Sequence, residues 1–339
     1  MIDVTVLFMD GGHASTAIGP LEVFRDAGAL WNALLGEPEQ SAFRVRSASV
    51  GRRPVRPDGP YTLQPDEALE SIGATDLVFV PSGGLDLDRM LREQAPVIEF
   101  LRDAFARGAR VAGVCSGVAL MAEAGLLDDR PATTHWGLAE SYRARFPRVD
   151  WRPDDLVTES GGLYCGGGVY AALDLALYLV EVLCDRTTAV RCSKALLIDM
   201  PRACQAGFAV LPMGTRHDDE TIGRAEEWIH RHCRESFRFD DLARELGLSP
   251  RHFIRRFKAA TQLAPVDYLQ RLRVRAARRL LEEGGVTVQE VGSHVGYEDA
   301  AFFRALFKRH TGITPAAYRA QFGAVDDTRG DARRAREGR

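Results

Sequence analysis

The sequence predicts two domains in series: an α/β domain built on a doubly wound parallel sheet, then an all-α domain holding a duplicated helical unit. Three observations carry this prediction. Short apolar runs ending in glycine-rich turns alternate with helical patterns through the first part of the chain. Strand signals cease after about residue 222. Beyond that point the chain repeats itself at an offset of 49 to 50 residues.

Length and composition agree with this. The 339 residues suit roughly two domains of about 150 each. With 45% hydrophobic and 27% charged residues, the chain is neither disordered nor collagenous, and 6 cysteines are too few for a disulfide framework. The first twelve residues lack the layout of a signal peptide. The longest apolar stretch, residues 169–184, is interrupted by Asp174 and Glu181 and is too short to span a bilayer. We expect a cytoplasmic protein with reduced thiols and no membrane partner. Charge is unevenly spread. Residues 1–217 carry 21 Lys/Arg against 28 Asp/Glu, a net of -7, whereas residues 249–322 carry 13 against 6, a net of +7. A basic module joined to an acidic one often marks a nucleic-acid-binding end, although a solvated helical face looks the same by charge alone.

In chain order, residues 4–8 are a short apolar run ending at Asp10, Gly11 and Gly12, a strand and its turn. Residues 18–30 carry a helical pattern. Residues 76–80 predict a second strand, followed by the turn Pro81, Ser82, Gly83, Gly84. Residues 97–107 read as a helix. Residues 110–114 predict a third strand, and a helix over 116–124 follows without a loop. Sites in parallel sheets lie at the carboxyl ends of the strands, so the turns at 10–12, 81–84 and 115 are expected to converge on one pocket. Residues 211–220 then lose apolar periodicity and carry Pro212 and Gly214. The expected divisions are a first domain over 1–211, a linker over 212–221, a second domain over 222–322 and a disordered polar tail over 323–339.

In the second domain, residues 241–247 align with 290–296 at an offset of 49. Phe253, Phe257, Pro265 and Tyr268 align with Phe303, Phe307, Pro315 and Tyr318 at an offset of 50, so one residue is inserted in the turn of the second copy. A long helix over 266–281 joins the copies. Each copy reads as a helix, a turn opened by Gly247 or Gly296, and a second helix. Ser249 is placed to cap the second helix of copy one, with Pro250 at its first position. Phe253 and Phe257 should pack inward, which leaves Arg251, His252, Arg255 and Arg256 among the outward positions. The matching surface of copy two is Asp299, Ala300, Arg304, Lys308 and Arg309. Helix-turn-helix is the natural reading, with double-stranded DNA as partner. A recognition helix fits the major groove, and an Arg there can hold guanine by two hydrogen bonds.

These residues resemble the AraC-type DNA-binding domain. The resemblance covers 222–322 and is carried by residues 242–249, 253–258 and 291–297, by Phe307 and Lys308, and by residues 312–315 with Tyr318 and Arg319. It implies two helix-turn-helix units that enter successive major grooves, about 10 bp apart. Copy two departs from the pattern: Arg304 is shifted by one, and Ala305 stands where Arg255 would align. Copy two is therefore expected to make fewer base contacts and more phosphate contacts.

In the first domain, Gly113, Cys115 and Gly117 bracket a strand-to-helix junction like the elbow that presents a nucleophile. A thiol at a helix N-terminus meets the positive dipole end and free N–H groups, of which Ser116 supplies one, and both favour thiolate. His135, followed by Trp136, could serve as base or ion-pair partner. Trp136 could also wall a cationic amine, or be simple core. Glu22 is expected to face the pocket and bond the thiolate or a ligand ammonium. Ser82, Gly83 and Gly84 offer backbone N–H donors to an anion or carbonyl oxygen. The glycines of 165–168 could bring amides to a ligand or cap the next helix. Cys165, Cys184, Cys192, Cys204 and Cys233 lack metal-ligand spacing and read as small apolar residues, and no metal or cofactor is expected.

Residues 3–185 resemble the DJ-1/PfpI domain, a flavodoxin-like fold related to class I glutamine amidotransferases. Glu22, the Gly-Gly turn, the elbow and His135 occur in the expected order. DJ-1/PfpI domains fused to AraC-type domains form the GlxA-like regulators, some of which respond to arginine, carnitine or glycine betaine. The resemblance implies a DNA-binding transcriptional regulator of the AraC family that senses a small nitrogenous effector, works as a homodimer and contacts RNA polymerase. No catalytic residue is then expected. Two alternatives remain open at this point: a Cys-dependent amidase or glyoxalase-like enzyme using Cys115, His135 and Glu22, and a thiol-based oxidation sensor.

Overall fold

A computed structural model describes residues 1–198 and 217–323 of the protein. The chain divides into two compact units, residues 1–206 and 207–339. That division, the first half of the 212–221 linker, Cys204 and the tail beyond 323 lie outside the described residues.

The first unit is a seven-stranded sheet. Its strands are β1 (Ile2–Leu7), β2 (Phe43–Ser49), β3 (Glu67–Ala68), β4 (Leu77–Val80) and β5 (Arg110–Val114). A separate two-stranded pair, β6 (Pro131–Ala132) and β7 (Asp150–Trp151), precedes β8 (Val157–Ser160) and β9 (Leu163–Gly166). The order is β3-β2-β1-β4-β5-β9-β8, parallel except for the β8–β9 hairpin at one edge. The helices are α1 (Ser15–Asp26), α2 (Leu30–Leu34), α3 (Leu87–Glu93), α4 (Ala95–Ala106), α5 (Val118–Glu123), α6 (Ala139–Arg145), α7 (Ala171–Leu183) and α8 (Arg186–Leu196).

The central strands read as continuous apolar runs because both faces are covered. Their period of two divides the core. Val78, Val80 and Val111 pack on one face with Ile98, Leu101 and Leu120. Leu77, Phe79, Ala112 and Val114 pack on the other with Phe24, Leu175 and Leu179. The chain adds β2 on one side of β1 and β4 on the other, so the strand order reverses between β1 and β4. This is the flavodoxin-like order, and the reversal opens the crevice where such sheets bind ligands.

The second unit is helical throughout its described residues. It comprises α9 (Glu220–His232), α10 (Phe239–Glu245), α11 (Pro250–Thr261), α12 (Pro265–Glu283), α13 (Val288–His294), α14 (Ala300–Thr311) and α15 (Pro315–Phe322). Helix α9 starts within the stretch read as linker, because Asp219 caps it by accepting from the Ile222 N–H at 3.1 Å. The duplication is visible in the packing. The Phe257 and Tyr268 rings meet edge-on at 5.3 Å and 83°, and Phe307 and Tyr318 at 5.4 Å and 82°. The hydroxyls of Thr261 and Thr311 each donate to the carbonyl four residues back at 2.8 Å. Each copy has its own apolar core. The repeat also reaches further upstream than residue 241. Ile222, Ala225 and Ile229 of α9 recur as Val274, Ala277 and Leu281 of α12, at an offset of 52, and all six are fully buried. Helix α12 therefore closes copy one with its first half and opens copy two with its second.

Arg273, in the middle of α12, braces the two copies. Its guanidinium donates to the carbonyls of Cys233 at 2.6 Å and Glu235 at 2.7 Å, just beyond α9. It also donates to the Gly296 carbonyl at 2.9 Å, in the turn of copy two, and lies 4.8 Å from the Tyr297 ring centre. A charged donor shared among three carbonyls fixes the second turn against the first copy.

Candidate ligand site and nucleic-acid interface

The turns after β1, β4 and β5 do converge. The Ser82 hydroxyl accepts from the His13 N–H at 3.0 Å and lies 3.0 Å from the Thr16 hydroxyl. Gly117 presses on the neighbouring turn so closely that a Cβ there would stand 2.0 Å from the Pro81 carbonyl oxygen. Cys115 itself has φ +55°, a left-handed conformation that costs a non-glycine residue roughly 1–3 kcal/mol. The elbow is therefore present. The helix expected over 116–124 opens with a tight 3-10 turn, Cys115–Gly117, before α5 begins. The Thr134 hydroxyl holds the Cys115 carbonyl at 2.8 Å, and the Tyr142 hydroxyl holds that of Ser116 at 3.1 Å.

The chemistry differs from the expectation at four places. First, Cys115 is only 5% exposed, and burial pushes the pKa of its thiol up to about 11. The opposing pull of the Ser116 N–H is weaker, so the thiol is neutral at pH 7 and not an activated thiolate. Second, two N–H groups expected to face a ligand are already engaged. That of Ser82 donates to the Thr16 hydroxyl at 3.1 Å and that of Gly83 to the Ser116 hydroxyl at 3.1 Å. Third, no hydrogen bond joins Cys115 to His135 among the described residues. The His135 Nδ1 accepts from the Gly137 N–H at 3.0 Å, which leaves the proton of the neutral ring on Nε2. Burial, and then the facing His13, hold the His135 pKa below its ordinary value. Fourth, Glu22 does not enter this site. It is exposed and lines a separate shallow cleft of about 200 Å³ with Ser15, Gly19, Val23, Tyr170 and Leu173. Six residues earlier on α1, the fully buried Thr16 takes the inward place.

The remaining ligand-site residues are close by. Trp136 is half-buried, with its ring centre 5.1 Å from that of His135. Gly168 makes room for His135, since a Cβ there would stand 3.1 Å from the ring's Cδ2. Its carbonyl accepts the Ala171 N–H at 2.9 Å at the start of α7. Sequence reasoning missed His13, Thr16 and Thr134. They belong to no motif, and only the topology brings them to the elbow. Of the other cysteines, Cys165 and Cys192 are buried and Cys184 and Cys233 half-buried, all as free thiols.

In the second unit, α11 and α14 are the helices a groove would receive. The turns before them have the predicted glycines, with φ +71° at Gly247 and +88° at Gly296. Ser249 caps α11 by accepting from the His252 N–H at 3.3 Å. Phe253 and Phe257 face inward on α11, as do Phe303 and Phe307 on α14. Opposite them, Arg251, Arg255 and Lys258 run along the outer face of α11, with His252 exposed beside them. The corresponding positions on α14 are Ala301, Ala305 and Lys308, with exposed Arg304 to one side. The side chains of Arg251, Arg255, Arg304 and Lys308 make no ion pair or hydrogen bond among the described residues.

Four expected DNA contacts are placed otherwise. Arg256 turns back and grips the Asp219 carboxylate at 2.7 and 2.9 Å, with Thr221 at 3.3 Å, so it secures the start of α9. Asp299 caps α14 by accepting from the N–H groups of Ala301 at 2.7 Å and Phe302 at 3.1 Å. Ala300 is half-buried in the first turn. Arg309 reaches the Gln270 side-chain oxygen on α12 at 2.6 Å. Sequence reasoning missed Ile254 and Phe302, which are 48% and 50% exposed. The period of the buried phenylalanines could have flagged both.

Comparison with known proteins agrees with this architecture. The DJ-1/PfpI family matches residues 3–182, and a helix-turn-helix domain matches residues 242–321. The HTH-type transcriptional regulator GlxA of Rhizobium meliloti is 31% identical over 285 residues, covering 80% of this chain and 85% of that protein. The isonitrile hydratase of Pseudomonas putida is 32% identical over 137 residues, 40% of this chain and 58% of the enzyme. A ThiJ/PfpI family protein from Pseudomonas syringae superposes with a TM-score of 0.51 at 24% identity, covering 62% of this chain and 79% of that one, a likeness of fold. Among the described residues no helix is long and apolar enough to cross a membrane. The chain belongs to the DJ-1/PfpI family, among the GlxA-like DNA-binding transcriptional regulators whose second domain is an AraC-type pair of helix-turn-helix units.

Proposed function

We propose that the first unit is a receptor for a small nitrogenous metabolite, which it binds at the elbow without turning it over. The observation that carries this reading is the buried, protonated Cys115 among backbone donors already engaged by Thr16 and Ser116. With a pKa of about 11, roughly one thiol in 10⁴ is ionised at pH 7. Such a group packs against a ligand and attacks one slowly. His135, Trp136 and Gly84 supply a polar ring, an aromatic wall and a backbone N–H to the ligand. The effector shifts the balance between two arrangements of a homodimer and so changes DNA binding and access of RNA polymerase. Arg251, His252 and Arg255 of α11, with Arg304 and Lys308 of α14, meet double-stranded DNA in the cytoplasm.

A second reading has support of its own. The positive φ of Cys115 and the likeness to a hydratase both suit a Cys-dependent enzyme with Cys115 as nucleophile; His135 would serve as its base only after its Nδ1 leaves the Gly137 N–H. One experiment separates the two. The purified protein is incubated with amino acids, betaines, polyamines and 2-oxoaldehydes, while thermal stability and compound consumption are followed together. The receptor reading expects a compound that stays intact and, at 100 times its Kd, stabilises by about 2.7 kcal/mol. Consumption that stops in Cys115→Ala refutes it.

A further inference from the structure

The two recognition helices present different chemistry at the same positions. On α11 the outer face is cationic, with Arg251, Arg255 and Lys258. On α14, at an offset of 50, it reads Ala301, Ala305 and Lys308, and the exposed residue beside Ala301 is Phe302 where α11 has His252. Asp299 is committed to the helix cap and Arg309 to Gln270. What remains along the first turns of α14 is an apolar strip of two methyl groups and an aromatic ring, flanked on one side by exposed Arg304. The Phe302 ring is half exposed and propped on Tyr297, with centroids 5.6 Å apart.

We propose that α14 reads thymine 5-methyl groups through Ala301, Ala305 and Phe302, while α11 reads guanine through Arg251 and Arg255. The argument is one of donors and acceptors. Alanine and phenylalanine side chains cannot hydrogen-bond a base edge, and the thymine methyl is the one apolar group the major groove displays. The short Ala side chains also let the helix backbone approach the groove floor. Lys308 and Arg304 then hold the flanking phosphates. The operator is accordingly asymmetric within each monomer site, with a G-containing box and a T-containing box one helical turn apart. This differs from a second helix that serves phosphates alone.

The inference rests on the reading of α11 and α14 as groove-facing, and its test keeps the two apart. The full chain selects duplexes from a random library. Arg255→Ala then identifies the α11 box as the one whose base discrimination it loses. In the other box each thymine is replaced by uracil, which removes only the methyl. We expect a loss of roughly fourfold per contacted thymine, the worth of one buried methyl group. In Phe302→Ala or Ala305→Gly, uracil and thymine should come closer together, whereas Ala305→Arg should move the preference toward guanine. Specific binding in which uracil and thymine are equivalent at every position overturns the inference and leaves groove binding standing. Selection that enriches no sequence overturns both.

Discussion

Replacing Arg273 with methionine tests whether one guanidinium sets the phase of the two DNA-reading units. The residue is 8% exposed, and its side chain donates to three carbonyls at 2.6, 2.9 and 2.7 Å. A hydrogen bond involving a charged group contributes about 1.5–3 kcal/mol, so three in a dry interior would approach the sum. Methionine keeps the apolar stem, and water can reach part of the vacated carbonyls, which brings the expected loss to about 3–5 kcal/mol. In a domain of this size each kcal/mol moves the melting temperature by about 4–8 °C. Calorimetry of the full chain should therefore show the second-unit transition at least about 12 °C lower, with the first unit unmoved. DNA binding adds a second readout. A base pair inserted between the two boxes should penalise the wild type more than Arg273→Met, because the variant's copies are no longer locked in register. Arg273→Lys should resemble the methionine variant, since an ammonium cannot span three carbonyls. A melting shift under about 3 °C with unchanged spacing dependence would refute the brace.

Four further outcomes are expected. Thiol labelling followed by peptide mapping should find Cys115 slow to alkylate at pH 7, and faster as pH rises toward 11; rapid labelling at pH 7 would contradict the buried neutral thiol. Its raised pKa also sets a sign. The unfolded thiol ionises first, so the stabilising contribution is full below pH about 9 and is lost as pH rises through about 11, and Cys115→Ala should flatten the alkaline fall in melting temperature. Gly117→Ala places a Cβ against the Pro81 carbonyl and should destabilise the first unit by about 3 kcal/mol in urea unfolding; an unchanged midpoint would show that the turn can give way. Arg255→Ala should cost about 1–3 kcal/mol of specific DNA affinity, whereas Arg256→Ala should leave base discrimination intact and raise hydrogen exchange in the first turn of α9. Loss of discrimination in Arg256→Ala would return that side chain to the interface.

What was legible in the sequence was local or periodic. The runs at 76–80 and 110–114 were readable because strands buried on both faces are continuously apolar. The helix-turn-helix copies were readable because capping residues, turn glycines and inward phenylalanines recur at fixed offsets. Helix 18–30 was placed too late and ran too far. Helix α1 starts at Ser15, and the chain breaks after Asp26 at the positive-φ Gly28, before the short α2. Strand β2 went unread although Phe43, Arg44, Val45 and Arg46 alternate as a strand does, because the run then passes into Ser47, Ala48 and Ser49, small residues that carry no strand signal until β1 and β3 pair with them.

Spacing could not tell which of two residues on one helix faces the site. Glu22 and Thr16 both lie on α1, and the packing of that helix against the sheet turns Thr16 inward and leaves Glu22 in solvent. Nor could a motif say whether its groups were free. The elbow placed Cys115 at a helix start, but its ionisation is set by desolvation from residues far apart in the chain, and that outweighs the local N–H. Arg255 and Arg256 are neighbours of the same chemical type. The rotation of α11 points one outward, and Asp219, 37 residues away, claims the other. Local propensity and periodicity determined the elements of this protein, and the motifs they carry determined which family it resembles. Solvent access, side-chain pairing and strand order are properties of the assembled chain, and they decided which candidate groups were available for chemistry.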